Sequence, residues 1–269
     1  MGHQFRKLIT TPLSPYQSLS PPLPEQHRIV GILDEAFDSI ATAKANAEKN
    51  LLNARALFES HLHAVFAEAW QTGKIVALSD LATDITDGDH MPPPKAPTGV
   101  PFITIGNINK NTRTIDFTDT YMVPIEYFQG LKPYKKPRSG DVLYTVTGSF
   151  GIPVLISDNA DFCFQRHIGL VRPKPIVNSV WLYYLLMSPQ IFAQANEGAT
   201  GTAQKTVSLK LLRGFQVPQI PLSQQLLSVT KLDALTEESQ RLESIYQQKL
   251  IALDALKKSL LDQAFTGGL

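Results

Sequence analysis

Two long stretches near the ends of the chain space their apolar residues as a helix does, and the stretch between them does not. From Glu25 to Ala69 there is no proline and Gly31 is the only glycine, and each stretch opens on proline, which a helix tolerates at its start but not inside. In the second stretch Leu232, Leu235, Leu242, Tyr246, Leu253, Leu256 and Leu260 follow 3-4 heptad spacing, interrupted at Ser239 and Lys249. The equivalent positions of the first are Leu33, Ala36, Ala43, Ala47, Ala54, Leu57 and His61. A stripe of small side chains facing a larger one favours close packing. At 1.5 Å per residue each helix would be on the order of 60 Å long, too long to bury its stripe against a small domain. The two helices are therefore expected to pair, antiparallel, as a coiled coil; the plainer alternative is two amphipathic helices lying on a core.

The stretches are also copies of each other. Laid over Pro221 to Phe265 without a gap, Pro22 to Phe66 shares Pro22/Pro221, Leu23/Leu222, Gln26/Gln225, Val30/Val229, Leu33/Leu232, Asp34/Asp233, Leu57/Leu256, Leu62/Leu261 and Phe66/Phe265, among others. The common Pro-Leu-x-x-Gln opening makes this a duplication and favours a spacer. His61 and His63 lie two apart, so a helix points them in different directions and they make a poor metal pair.

Between Trp70 and Ile220 the texture changes to short apolar runs broken by Pro, Gly and Asn. Val100–Ile105, Asp141–Val146, Val154–Ile156 and Ile168–Val171 predict strands; Trp181–Met187 and Gln190–Asn196 predict helical turns. Asp87 to Gly99, with three consecutive prolines, predicts a loop. The fold class is α+β: one mixed α/β domain flanked by two long helices. The boundaries are a stub over 1–21, a helix over 22–69, a domain over 70–220 and a helix over 221–269.

Composition narrows the function classes. The 25 Lys and Arg nearly balance 24 Asp and Glu, so a nucleic-acid face must come from local clustering. Cys163 is the single cysteine, which excludes an internal disulfide and a cysteine metal cluster and suits a reducing, cytoplasmic setting. Met1 to Thr11 lacks the apolar core of a signal peptide, and no stretch approaches the roughly 20 apolar residues of a membrane span. A soluble protein is expected, with no membrane partner.

Several loops carry groups suited to DNA. Lys132, Lys135, Lys136 and Arg138 surround Tyr134, a basic run suited to phosphates or simply to solvent. Gln165, Arg166 and His167 precede a strand; Asn107, Asn109 and Lys110 follow one. Arg suits guanine edges, and Asn or Gln suits adenine, though Asn and Gly also merely form turns. The run from Gly198 to Lys205, with Thr202, Gln204 and Lys205, is polar and basic at its end, suited to a phosphate backbone through its main-chain N–H groups and Lys205 or simply to a loop. Gly148-Ser149-Phe150-Gly151 lacks nucleophile-elbow spacing and reads as a tight turn. Asp84, Asp87, Asp89 and His90 miss the spacing of a calcium loop and read as an exposed acidic loop. No metal is expected. There is no phosphate loop, no dinucleotide fingerprint and no Asn/Asp-Pro-Pro-Tyr segment, so no catalytic residue is assigned.

Taken in order, these segments resemble the specificity subunits of type I restriction-modification enzymes. Pro22-Leu23-Pro24-Glu25-Gln26 is similar to the opening of their helical regions. Pro101–Ile108, Gly140–Leu143, Gly148–Gly151, Gln165–Ile168 and Gly201–Lys205 are similar to their target-recognition domain, and the likeness covers nearly all of Pro21 to Gly268. The resemblance implies two such domains on an antiparallel helical spacer, each reading half of a split DNA site. It implies methylation subunits that bind S-adenosylmethionine and a restriction subunit that uses ATP with Mg, while this chain binds no cofactor. Only twenty residues precede the first helix, too few for a recognition domain, so the chain resembles the C-terminal half of such a subunit, natural or a fragment. A second copy of the chain would then complete the assembly, reading an interrupted palindrome. Two rivals differ in class: a coiled-coil adaptor whose domain binds protein, marked by salt-insensitive behaviour toward DNA, and a methyltransferase with degenerate motifs, marked by S-adenosylmethionine binding.

Overall fold

The computed structural model describes residues 21–269 apart from Pro92 and Ala203. Most of the stub expected over 1–21 lies outside the described residues, as do the middle of the polar run at 198–205 and one of the three loop prolines. The chain opens with helix α1 (Leu23–Thr72) and closes with α7 (Leu222–Thr266). Between them run β1 (Lys74–Ala77), α2 (Leu78–Leu81), β2 (Ala82–Asp87), β3 (Val100–Ile103), β4 (Ile108–Asn109), β5 (Thr114–Ile115), β6 (Tyr121–Val123), α3 (Ile125–Gly130), β7 (Val142–Thr145), β8 (Pro153–Leu155), β9 (Cys163–Phe164), β10 (Ile168–Pro173), α4 (Ser179–Met187), α5 (Pro189–Gly198), α6 (Leu209–Arg213) and β11 (Gln216–Gln219). The fold is the mixed α/β domain flanked by two long helices that the sequence predicts. Strand β2 was not expected: Ala82-Thr83-Asp84-Ile85-Thr86-Asp87 carries little apolar weight, and its place is set by pairing with β10.

The chain divides into two compact units. One holds the described part of Met1–Leu52 with Glu243–Leu269; the other is Asn53–Leu242. In the first, Arg28 Nη2 donates to the Leu269 carbonyl at 2.9 Å, the Lys257 ammonium sits 5.0 Å over the Phe37 ring, and Lys44 Nζ meets Asp254 Oδ1 at 2.7 Å. Partner numbers fall on one helix as they rise on the other, so these segments run antiparallel.

The second unit is built on a four-stranded antiparallel sheet, β2-β10-β7-β8, and a three-stranded one, β6-β3-β9, in which β3 and β9 are parallel. Strand alternation divides the apolar runs between two cores. Val142, Tyr144 and Val171 face a core shared with Trp181, Leu182 and Leu185 of α4, whereas Leu143, Ile168 and Leu170 face Ile103, Val154 and Phe164. Apolar on all sides, α4 is correspondingly buried; the Asn178 side chain accepts from Trp181 N at 2.9 Å and starts it. The long helices join the first core at its edge. Phe66 is fully buried 5.9 Å from the Trp181 ring. Tyr184 donates its hydroxyl to Asp233 at 2.7 Å, and Gln225 holds Asn178 N, the Ile176 carbonyl and the Ile220 carbonyl.

The expected heptad stripe is displaced toward its ends. Leu57 and Leu256 are 47% and 48% exposed and His61 is exposed while its neighbour Leu62 is buried; Ile40 and Ser239, on the heptad register itself, are buried. A straight helix at 3.6 residues per turn drifts about 20° per heptad from a 3.5 repeat, so a strict heptad reading slips by one position over roughly five heptads. Ser239 does not interrupt the packing: its hydroxyl donates to the Ala54 carbonyl at 3.0 Å, an approach that the small side chain of Ala54 allows. His61 and His63 are both exposed.

Candidate nucleic-acid interface

Three turns of the second unit meet around one cleft. The first follows β2. There Gly88 brings its backbone so close to the neighbouring turn that an added Cβ would lie 1.8 Å from the Phe164 carbonyl oxygen, a position only glycine can occupy. The approach lets Asp89 N donate to Phe164 O at 2.8 Å and Arg166 N to Asp89 O at 3.1 Å. The second turn, Gln165 to Ile168, closes when Ile168 N donates to Gln165 O at 3.0 Å. The third, Thr200 to Thr206, folds back through the paired Thr200 and Thr206 backbones, and Gly148 N donates to Lys205 O at 3.1 Å. With φ +70° at Gly148, the Gln204 amide nitrogen lies 2.9 Å from where a Cβ would stand.

The cleft encloses about 350 Å³, and its walls include Asp87, His90, Thr147, Arg166, His167 and Gln204. His90 Nε2 meets Asp87 Oδ2 at 2.8 Å. Burial and then the nearby Arg166 charge hold His167 below the usual imidazole range, so its neutral ring accepts from Arg166 Nε at 3.4 Å, a long and weak bond. Among the described residues, the Arg166 Nη atoms and the Gln204 side-chain amide have no hydrogen-bond partner. This places two unspent donors and a carboxylate on one polar concavity.

The other sequence candidates lie elsewhere or are already engaged. Asn107 is buried, accepting from Thr104 N and Oγ1 and donating to the Asp116 and Asp119 carbonyls. Asn109 accepts from Asn111 N and Thr112 N. Both side chains are committed to their own turn, while Lys110 is exposed. The basic run divides. Lys135 lies 3.9 Å from the Asp89 carboxylate, Lys136 donates to the Gln129 carbonyl at 2.8 Å and covers the Phe128 ring, and Lys132 and Arg138 are exposed. Lys205 reaches Asn196 Oδ1 at 3.1 Å; Thr202 is exposed and Gln165 half-buried. Ser149 lies in a loop across which Gly151 N donates to Thr145 O, longer than the tight turn expected there.

The acidic segment differs from the exposed loop expected of it. Asp84 pairs with Arg172, Asp87 with His90 and Asp89 with Lys135, and the side chains of Asp87 and Asp89 are only 17% and 13% exposed. Among the described residues no group of three or more His, Cys, Asp or Glu is arranged to hold a metal. Asp87, His90 and Thr147 were not among the residues that the sequence suggests for DNA. The available signal was the Asp-Gly-Asp-His turn, whose glycine marks a close backbone approach.

Comparison with known proteins accords with this architecture. The Escherichia coli type I restriction enzyme EcoBI specificity subunit is 25% identical over 135 residues, 50% of this chain and 28% of that protein. A chain from a structural study of complex assembly and conformational transition of the type I R-M system superposes with a TM-score of 0.73 at 23% identity, covering 93% of this chain and 61% of that one. The HsdS subunit of Thermoanaerobacter tengcongensis gives 0.62 at 23% identity, covering 93% and 60%. The chain thus spans less than two thirds of each of these relatives. No helix among the described residues is long and apolar enough to cross a membrane. The model of the type I restriction modification DNA specificity domain matches residues 69–250, more than half of the sequence, and the chain belongs to that family.

Proposed function

We propose that the chain selects a DNA sequence for a type I restriction-modification enzyme and does no chemistry itself. The carrying observation is the cleft, where Arg166 and Gln204 present unspent donors on laced turns, as base-edge reading requires. Phosphate contacts fall to Lys132, Lys135, Lys136, Arg138, Lys110 and Lys205, with Gln165, His167 and Thr202 at the margin of the reading surface. The domain over 70–220 reads one part of a split site in the cytoplasm, and the helices over 22–69 and 221–269 hold methylation subunits. S-adenosylmethionine, ATP and Mg belong to the methylation and restriction subunits. Selection of bound duplexes from random DNA, with the methylation subunit present, tests the reading: a defined motif and a steep salt dependence are expected, and sequence-independent binding would overturn it. Methyl transfer by the purified chain alone would contradict the non-catalytic role.

A second copy of the chain completes the site in this reading, and the repeat supports it. Phe66 is buried, but its counterpart Phe265 is 88% exposed. Gln225 and Gln26 make the same local bond, to Ile220 O and Pro21 O, yet only Gln225 also grips a domain. Asp34 and Asp233 are both exposed, and Asp233 accepts from Tyr184. Residues that seat a recognition domain in one unit recur in the other without such a contact among the described residues. Mass measurement of the DNA-bound complex should find two copies on inverted half-sites; one copy reading two different half-sites would exclude this.

A further inference from the structure

Resting on the DNA-reading function above, we propose that the cleft reads a G·C pair from the major groove, with Arg166 on the guanine and Asp87 on the cytosine. A carboxylate facing DNA is repelled by phosphates, so it gains only where a base edge offers a donor. The major groove offers two, cytosine N4 and adenine N6. Asp87 suits such a donor because His90 occupies Oδ2 at 2.8 Å while no donor among the described residues reaches Oδ1. Its strand fixes it, since Asp87 is paired with Gly169 in the sheet.

Arg166 decides between the two amines. Its Nη atoms, without an acceptor among the described residues, share the cleft with Asp87, and a guanidinium is satisfied bidentately by guanine O6 and N7. A G·C pair presents two acceptors on one base and one donor on the other. An A·T pair interposes the adenine amine between separated acceptors and leaves the fork half used. The cation and the carboxylate on one wall therefore match the edge of a single G·C pair, and Gln204 is left for a neighbouring base. Neutral His167 beside Arg166 adds no competing charge.

Base analogues test this on the unaltered chain. First the selected motif is obtained for the full chain with its methylation subunit; then each G·C column is substituted in turn with 7-deazaguanine, which lacks N7, or N4-methylcytosine, which blocks the groove-facing amine. One column should lose on the order of tenfold in affinity to either analogue. Arg166→Ala should abolish the 7-deazaguanine penalty there, and Asp87→Ala, which removes the acceptor, the N4-methylcytosine penalty, with unfolding followed separately by melting temperature. If no G·C column responds, if the penalties survive both substitutions, or if Asp87→Ala relaxes an A·T column instead, the pair assignment is wrong while DNA reading stands. If the chain selects no motif at all, both fall.

Discussion

Replacing Arg172 with methionine removes a guanidinium that five hydrogen bonds fix at the end of β10. Nε and Nη2 form a two-pronged bond to Asp141 at 2.9 and 2.7 Å, Nη1 reaches Asp84 at 3.3 Å, and the Lys136 and Pro133 carbonyls accept at 2.8 and 3.4 Å. The side chains of Arg172 and Asp141 are 11% and 3% exposed, so solvent does little to screen the pair. With the arginine gone, Asp141 keeps only the Arg138 N–H at 2.9 Å and stands as a buried, uncompensated carboxylate. That costs about 3–5 kcal/mol, or roughly 6–20 °C of melting temperature for a domain of this size. Adding Asp141→Leu removes the orphaned charge and should restore most of the loss. Denaturant unfolding followed by circular dichroism measures both variants. Because the same guanidinium pins the backbone of the 133–138 loop, Arg172→Met should also weaken DNA binding without altering the selected bases. A loss below about 1 kcal/mol, or a double variant no more stable than the single one, would refute the reasoning.

Substituting Lys135, Lys136 and Arg138 together with alanine should lower affinity for all sequences alike and flatten the salt slope by about 0.9 for each phosphate that is no longer neutralised, which a salt titration reads. Gly88→Ala should destabilise the cleft and abolish sequence selection, because its Cβ would strike Phe164 O, while Gly130→Ala, with open space around it, should leave both melting and binding unchanged. Phe66→Ala should cost about 3–5 kcal/mol but Phe265→Ala less than about 0.5 kcal/mol, with the second variant instead failing to assemble two copies in a mass measurement. Burial pushes the Cys163 thiol up to about 12, helped by Asp89 and Asp161. Its contribution to stability is then complete below the unfolded thiol value, about 8.5, and is lost as pH rises from there through 12. At pH 8 iodoacetamide should label the unfolded chain and spare the folded one.

Spacing along the chain was enough to determine the two long helices, their duplication, and the apolar strands β3, β7 and β10, because each of these buries a face that repeats at a helical or strand period. It also placed Arg166 and Gln204 among the candidates for DNA contact, the first for base edges and the second in a run suited to a phosphate backbone, since loop polar residues beside glycine turns are recognisable locally. What spacing leaves open is how polar groups are used, because that depends on partners distant in sequence. Asn107 and Arg166 look alike as loop candidates, yet one is buried in its own turn and the other keeps its Nη donors. Strand β2, nearly all polar, exists because β10 pairs with it, and that pairing, with the close approach at Gly88, puts Asp87 and Arg166 on one cleft. Only tertiary structure separated spent hydrogen-bonding groups from unspent ones: hydrophobic burial is encoded residue by residue, whereas a hydrogen bond or ion pair requires two groups that folding alone brings together.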